Sequence, residues 1–193
     1  IHETFPGDLQ VSTWIQSQRA DWLDNIFRSL SMIGLTQIAV TIMICVTLAL
    51  IATNRKQTLR FHFIVLGSLF LASMAGFSVR TALKVLVARP RPTSELVQVI
   101  EWSEGYSFPS GHVMFCTILC GSLYIIMVNE NTRHRVRSVI IAAITMALII
   151  VGMSRIYLGV HWLSDVIGAY LFSTLILVVM KLIWNRAKLP RCP

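Results

Sequence analysis

Residues 138–183 read SVIIAAITMALIIVGMSRIYLGVHWLSDVIGAYLFSTLILVVMKLI. Two apolar runs, 139–153 and 162–183, flank a short joint that holds Ser154, Arg155 and His161, with Asp165 just beyond. The second run has the roughly 20 residues an α-helix needs to cross a bilayer. The first reaches that length when Arg137 and Arg155 snorkel from its ends. Two membrane helices with their charges gathered where they meet set the class of the whole chain: an all-α integral membrane bundle.

Working outward, runs at 29–52, 61–79 and 111–128 bring the total to five expected spans in one membrane-embedded domain over 1–193. Residues 1–28 read differently. Leu9, Val11, Trp14, Ile15, Trp22, Leu23, Ile26 and Phe27 alternate with Asp8, Arg19, Asp21, Asp24 and Arg28. That mixture predicts amphipathic helix lying at the membrane interface, with a break near Asp21.

Composition agrees. Of 193 residues, 55% are hydrophobic and 13% charged, against about 25% charged in soluble domains. The mean hydropathy is +0.68 and the formal charge +8. In a soluble protein such a charge would point to nucleic acid. Here the cations sit in short loops between apolar runs and within motifs, so no nucleic-acid partner is expected. Nor is an obligate protein partner. Cys45, Cys116 and Cys120 lie in apolar runs, where a thiol behaves as a small hydrophobe. No spacing resembles a zinc site or a disulfide framework.

Loop charge sets an expected orientation. With five alternating spans, one side receives Arg55, Lys56, Arg60, Arg133, Arg135, Arg137, Lys181, Arg186, Lys188 and Arg191, ten cations against seven on the other. The positive-inside rule places that side in the cytoplasm. Trp14, Trp22, Trp102 and Trp162 then fall at the outer interface and Trp184 at the inner one. The outer loop 93–108 mixes Leu96, Val97, Val99, Ile100 and Trp102 with Glu95, Glu101 and Glu104. It reads as an interfacial helix, or as a lid over a lipid entrance.

Three patterns reach that outer side in order: Lys84-x6-Arg91-Pro92, Pro109-Ser110-Gly111-His112, and Ser154-Arg155-x5-His161-x3-Asp165. On a helix, His161 and Asp165 would share a face. The carboxylate could fix one imidazole nitrogen and leave the other free to attack. Taken alone, they read equally well as a structural pair at a helix start. Ser110 and Gly111 precede an apolar helix, whose N-terminal N–H groups attract anions. Ser110 could cap that helix or donate its hydroxyl to a phosphate oxygen, and His112 could protonate a leaving oxygen. A cap beside a solvated histidine is the plainer reading of this piece. Lys84, Arg91 and Arg155 supply a point charge and two planar forks for phosphate oxygens. Arg80 and Arg89 read as snorkelling anchors.

Together, in this order and on one face, the three patterns resemble the type-2 phosphatidic acid phosphatase family of membrane lipid phosphatases. That family's site is related to those of vanadium haloperoxidases and bacterial class A acid phosphatases. Every defined position of the family pattern is matched between Lys84 and Asp165. The resemblance implies His161 as nucleophile forming a phosphohistidine, Asp165 as its orienter, and His112 as acid and then base. It implies Lys84, Arg91, Ser110, Gly111 and Arg155 as phosphate ligands, and no metal or other cofactor. It also implies six spans, so a first helix before Ile1 would restore the parity. The expected substrate is a membrane lipid phosphate met in the bilayer: undecaprenyl pyrophosphate, phosphatidylglycerophosphate or phosphatidic acid. The expected location is the extracytoplasmic face of a bacterial plasma membrane. Phosphotransfer to a non-water acceptor is a second enzymatic reading. A non-catalytic lipid transporter fits less well, because no charge lies in mid-span.

Overall fold

The computed structural model describes residues 4–32, 59–127 and 133–186, with helical positions at Thr41, Ile44, Cys45, Leu48 and Ala52. Most of the expected span at 29–52, and the tail with Lys188 and Arg191, lie outside the described residues. Among the described residues, six helices have defined bounds: α1 (Asp8–Ser17), α2 (Asp21–Met32), α3 (Leu59–Val87), α4 (Gly111–Met127), α5 (His134–Tyr157) and α6 (Leu163–Arg186). The described residues contain no strand.

Leu66–Val87 of α3, all of α5, and Leu163–Ile183 of α6 are long and apolar enough to cross a membrane, while the apolar stretch of α4 is shorter. Their outward faces are greasy: Leu71, Val139 and Leu171 are each about two-thirds exposed. Water would penalise such surfaces, and hydrocarbon does not. The chain is an integral membrane protein. Two helices outrun their apolar cores. The α3 helix continues past 79 to Val87 and carries Arg80 and Lys84 on its last turns, and α5 takes in Arg135, Arg137 and Arg155. Long cationic stems let a helix continue beyond the apolar run while the charge seeks a polar partner.

The α4 helix packs against α3, α5 and α6. Small residues allow the approach: a Cβ at Gly121 would collide with Leu177, and one at Gly152 with the Tyr170 hydroxyl. Without a hydrophobic drive between helices in lipid, such close packing carries the association. The main buried cluster is not at the middle of the bundle. It gathers Ile15, Val113, Met114, Ile156, Tyr157, Leu158, Val160, Val166 and Ala169 at the end where the three motifs meet.

The expected break between α1 and α2 falls between Ser17 and Asp21. Both helices pack on the end of α5, and α1 also touches α6. Gln16 Nε2 donates to the carbonyls of Gln98 (2.7 Å) and Tyr157 (3.0 Å), and Gln98 N–H returns a bond to Gln16 Oε1. Asp24 pairs with Arg19 at 2.6 Å and accepts the Tyr157 hydroxyl at 2.6 Å.

The interfacial helix expected at 93–108 does not form. After a single turn at Thr93, the segment runs as irregular chain. Val97 turns inward and is buried. The N–H groups of Ile100 and Glu101 both go to the Leu158 carbonyl rather than to their own preceding turn. Docking on the end of α5 satisfies the backbone that a helix would otherwise satisfy.

Candidate active site

The site is assembled where α3, α4, α5 and α6 end together. Lys84 sits on the last turn of α3, and Arg91 follows in the Pro90–Pro92 segment. Ser110 immediately precedes α4, and Gly111 and His112 open it. Arg155 lies in the last turn of α5, and Asp165 in the first turn of α6.

His161 and Asp165 do not share a helix, contrary to the sequence expectation. His161 belongs to the tight connection before α6, where Val160 and His161 N–H groups both point to the Arg155 carbonyl (3.2 and 3.3 Å). Gly159 makes that connection possible. Its φ of 70° is strained for other residues, and its α face lies against the Gln98 carbonyl. Asp165 acts as a helix-start carboxylate, with Oδ2 accepting Trp162 N–H at 2.8 Å as in a capping box. The same oxygen accepts the Ser107 hydroxyl. His161 Nδ1 stands 3.5 Å from both Asp165 Oδ2 and Ser107 Oγ. Its other nitrogen, Nε2, stands 3.4 Å from Arg91 Nη1. One edge of the ring therefore faces a carboxylate and a hydroxyl, and the other faces a cation.

The His161 ring is buried, and its pKa is pushed down to about 3. Burial is the main cause, opposed by Asp165 and reinforced by Arg91 and Arg155. The imidazole is thus neutral at physiological pH, the form with a lone pair to offer. Arg91 is also shifted downward, by burial first and then by Arg155, with Asp165 and Glu101 opposing. Its guanidinium donates to the carbonyls of Gly105 (3.0 Å), Val160 (2.7 Å) and Glu104 (3.2 Å), which aims the fork at His161. Lys84 Nζ donates to the Tyr106 carbonyl.

Ser110 Oγ is buried and has no hydrogen-bond partner among the described residues, so it does not serve as a cap. His112 is only partly exposed, and its Nε2 lies 2.8 Å from the Ser31 carbonyl in the last turn of α2. Ser31 Oγ in turn accepts from Arg155 Nη1 (2.6 Å) and donates to Glu101 Oε1 (2.6 Å). Arg155 Nη2 meets Glu101 at 3.3 Å. The structure brings all the candidates together. Lys84, Arg91, Arg155 and Asp165 are coupled by charge, and both histidines feel Arg91 and Arg155.

The anchor reading of Arg89 fails. Its side chain is buried and bridges two carboxylates, Asp165 Oδ1 at 2.7 Å and Asp8 Oδ2 at 2.5 Å. It also donates to Ser164 Oγ (2.5 Å) and lies over the rings of Phe5 and Trp162. A buried guanidinium needs paired charge more than it needs solvent. Arg80 is half-buried with its guanidinium against Gly111, over the Phe77 ring. Asp8, Ser31, Glu101 and Ser107 were not singled out as site residues by sequence. They lie far along the chain from the groups they touch, and no spacing announces them.

A sequence profile of the PAP2 superfamily matches residues 61–188. Phosphatidylglycerophosphatase B of Bacillus subtilis is 24% identical over 166 residues, 84% of this chain and 76% of that protein. Sphingosine-1-phosphate phosphatase 1 of Mus musculus is 30% identical over 98 residues, half of this chain but only 22% of that protein. Among solved structures, a transmembrane PAP2 type phosphatidylglycerolphosphate phosphatase from Bacillus subtilis superposes with a TM-score of 0.75 at 20% identity, covering 96% of this chain and 87% of that one. Aquifex aeolicus LpxE gives 0.68 at 21% identity, covering 93% and 98%. These likenesses extend the common fold over nearly the whole chain.

Proposed function

Because the chain belongs to the PAP2 superfamily, we propose that it is a lipid phosphate phosphatase that hydrolyses the phosphomonoester or pyrophosphate headgroup of a membrane lipid. The observation that carries this reading is the two-sided setting of His161: Nδ1 toward Asp165 and Ser107, Nε2 toward Arg91. A phosphoryl group held by Arg91 would meet the nitrogen that has the free lone pair.

The first step transfers phosphoryl to the enzyme. His161 Nε2 forms a bond to phosphorus as the bond from phosphorus to the lipid oxygen breaks. His112, brought to its protonated form by the negative charge of the bound phosphate, gives its proton to that oxygen. Lys84, Arg91, Arg155, the Ser110 hydroxyl and the N–H groups at the start of α4 hold the other oxygens, where charge is greatest in the transition state. In the second step water attacks phosphorus, the phosphorus–nitrogen bond breaks, and the water's proton passes to His112. Inorganic phosphate leaves and both histidines are restored. This scheme asks for no metal, and the residues around the phosphate are cations where divalent-ion binding would call for oxygen ligands.

The charge bias of the loops supports a site on the extracytoplasmic face of the plasma membrane. Lipid entry from the outer leaflet fits the exposed Trp14, Trp22 and Trp102, which would lie at headgroup depth. Phosphate release from a panel of isoprenoid and glycerolipid phosphates in detergent tests the proposal. Release that survives EDTA, is blocked by vanadate and is lost in His161→Ala is expected. Turnover retained in folded His161→Ala, or strict Mg²⁺ dependence, overturns the mechanism.

A further inference from the structure

The buried side of the Asp165 carboxylate is completed by a residue outside the stretch that the family profile matches. The PAP2 match begins at residue 61, whereas Asp8 opens α1. Asp8 is nevertheless 2% exposed and spends both of its oxygens on the start of α6 and its partner. Oδ1 accepts Ser164 N–H at 2.9 Å. Oδ2 accepts Ser164 Oγ at 2.8 Å, Arg89 Nη2 at 2.5 Å and, locally, Phe5 N–H at 3.0 Å. Arg89 then holds Asp165 Oδ1 through its other nitrogen at 2.7 Å. We infer that Asp8 is a positioning residue of the phosphatase, acting through Arg89 and Ser164 on Asp165 and so on His161.

The physical argument is one of charge balance. A single guanidinium shared by two buried carboxylates leaves the trio with a net negative charge. Asp165 therefore keeps enough charge to attract the Nδ1 proton of His161, and to stabilise the positive imidazole that forms as Nε2 bonds to phosphorus. If Asp8 loses its charge, Arg89 is left to Asp165 alone and neutralises it. The oxygen would stay in place, but its pull on the imidazole would weaken. Asp8 touches neither substrate nor His161, so phosphate binding by Lys84, Arg91 and Arg155 would be largely spared.

This inference rests on the phosphatase reading, and its test separates the two. Asp8→Asn preserves the shape of the side chain and removes its charge. Its kcat is expected to fall about 10- to 100-fold, the range seen when an outer partner of a functional histidine is lost. KM and the vanadate inhibition constant should stay within about threefold, and the rate of phosphohistidine formation in an acid-quenched single turnover should fall with kcat. Gln10→Ala, an exposed change on the same helix, should leave kcat as in the wild type. Unchanged kcat in Asp8→Asn overturns the inference. So does a loss of vanadate affinity in step with kcat, which would make α1 a support for the pocket's shape alone. If Asp8→Asn is not recovered folded, Asp8→Ser takes its place. It removes the charge equally and should cost about 10- to 100-fold in kcat at constant KM, and wild-type kcat would overturn the inference equally. A wild-type protein that releases no phosphate from any lipid would overturn the phosphatase reading, and this inference with it.

Discussion

The two ends of this molecule obey opposite rules of burial. Along the body of α3, α5 and α6, large apolar side chains such as Leu71, Val139 and Leu175 face outward and few residues are buried. At the site end, charges are inside: Arg89, Arg155, Asp8, Asp165 and His161 are each at most 3% exposed. The body is held by close helix contacts at small residues and by the lipid around it. The site end is held by a web of charge-assisted hydrogen bonds in which nearly every buried charge has an opposite partner. Substitutions should therefore be tolerated on the lipid-facing side of the body and costly at the site end, and the costs at the site end should scale with how many charges they strand.

The largest effect is expected from His161→Ala. Phosphate release should drop by at least about 10⁴-fold, with the thermal midpoint held within a few degrees. Next comes Arg155→Ala. It removes a proposed phosphate ligand and leaves Glu101 to the Ser31 hydroxyl, so a fall of about 10²- to 10³-fold in kcat/KM is expected, with vanadate affinity lost alongside. Ser107→Ala deletes one of the two groups beside His161 Nδ1 and should lower kcat about tenfold, read in the same assay. Glu101→Gln should act in the opposite sense. The Glu101 carboxylate sits on Arg155 where a substrate oxyanion would compete for it, so its removal should tighten vanadate inhibition by about three- to tenfold. Looser inhibition would mean that Glu101 helps to build the cradle rather than occupying it. At the bottom of the series, Leu175→Ala on the lipid-facing body should change neither kcat nor stability by more than about 0.5 kcal/mol.

The contrast also has a pH signature. His161 has a folded-state pKa of about 3, below its ordinary 6.5. Between those values the unfolded chain binds a proton that the folded chain does not, so stability must fall as pH falls from about 6.5 toward 3. Thermal unfolding in detergent across that window should show a shallower pH slope in His161→Gln than in the wild type. Equal slopes would mean that the ring is solvated.

Much of this was legible in the chain itself. Runs of apolar residues announced the helices, because only a helix or a closed barrel satisfies its backbone in hydrocarbon, and continuous runs this long suit the helix. The break before Asp21 was visible in the mixed pattern of 1–28. The motif residues were legible too, since phosphate chemistry needs cations and imidazoles at helix ends. Less legible was the loop 93–108, whose apolar residues suggested a helix yet serve to dock on the end of α5. Arg89 was misread for a related reason. An arginine at the end of a span looks like an anchor until its partners are known, and one of them lies 81 residues away.

Read alone, the chain establishes a helical membrane protein and the motif residues proposed to carry phosphate chemistry. Composition, span length and motif order are local properties that no fold can alter. It took the packed fold to bring Asp8, Arg89 and Ser107 beside the Asp165 carboxylate, to set His161 ahead of its helix, and to rest Ser31 and Glu101 on His112 and Arg155. Those facts depend on which buried charges meet which partners. A charge excluded from water takes whatever opposite charge the packed helices bring within reach, and spacing along the chain does not record it.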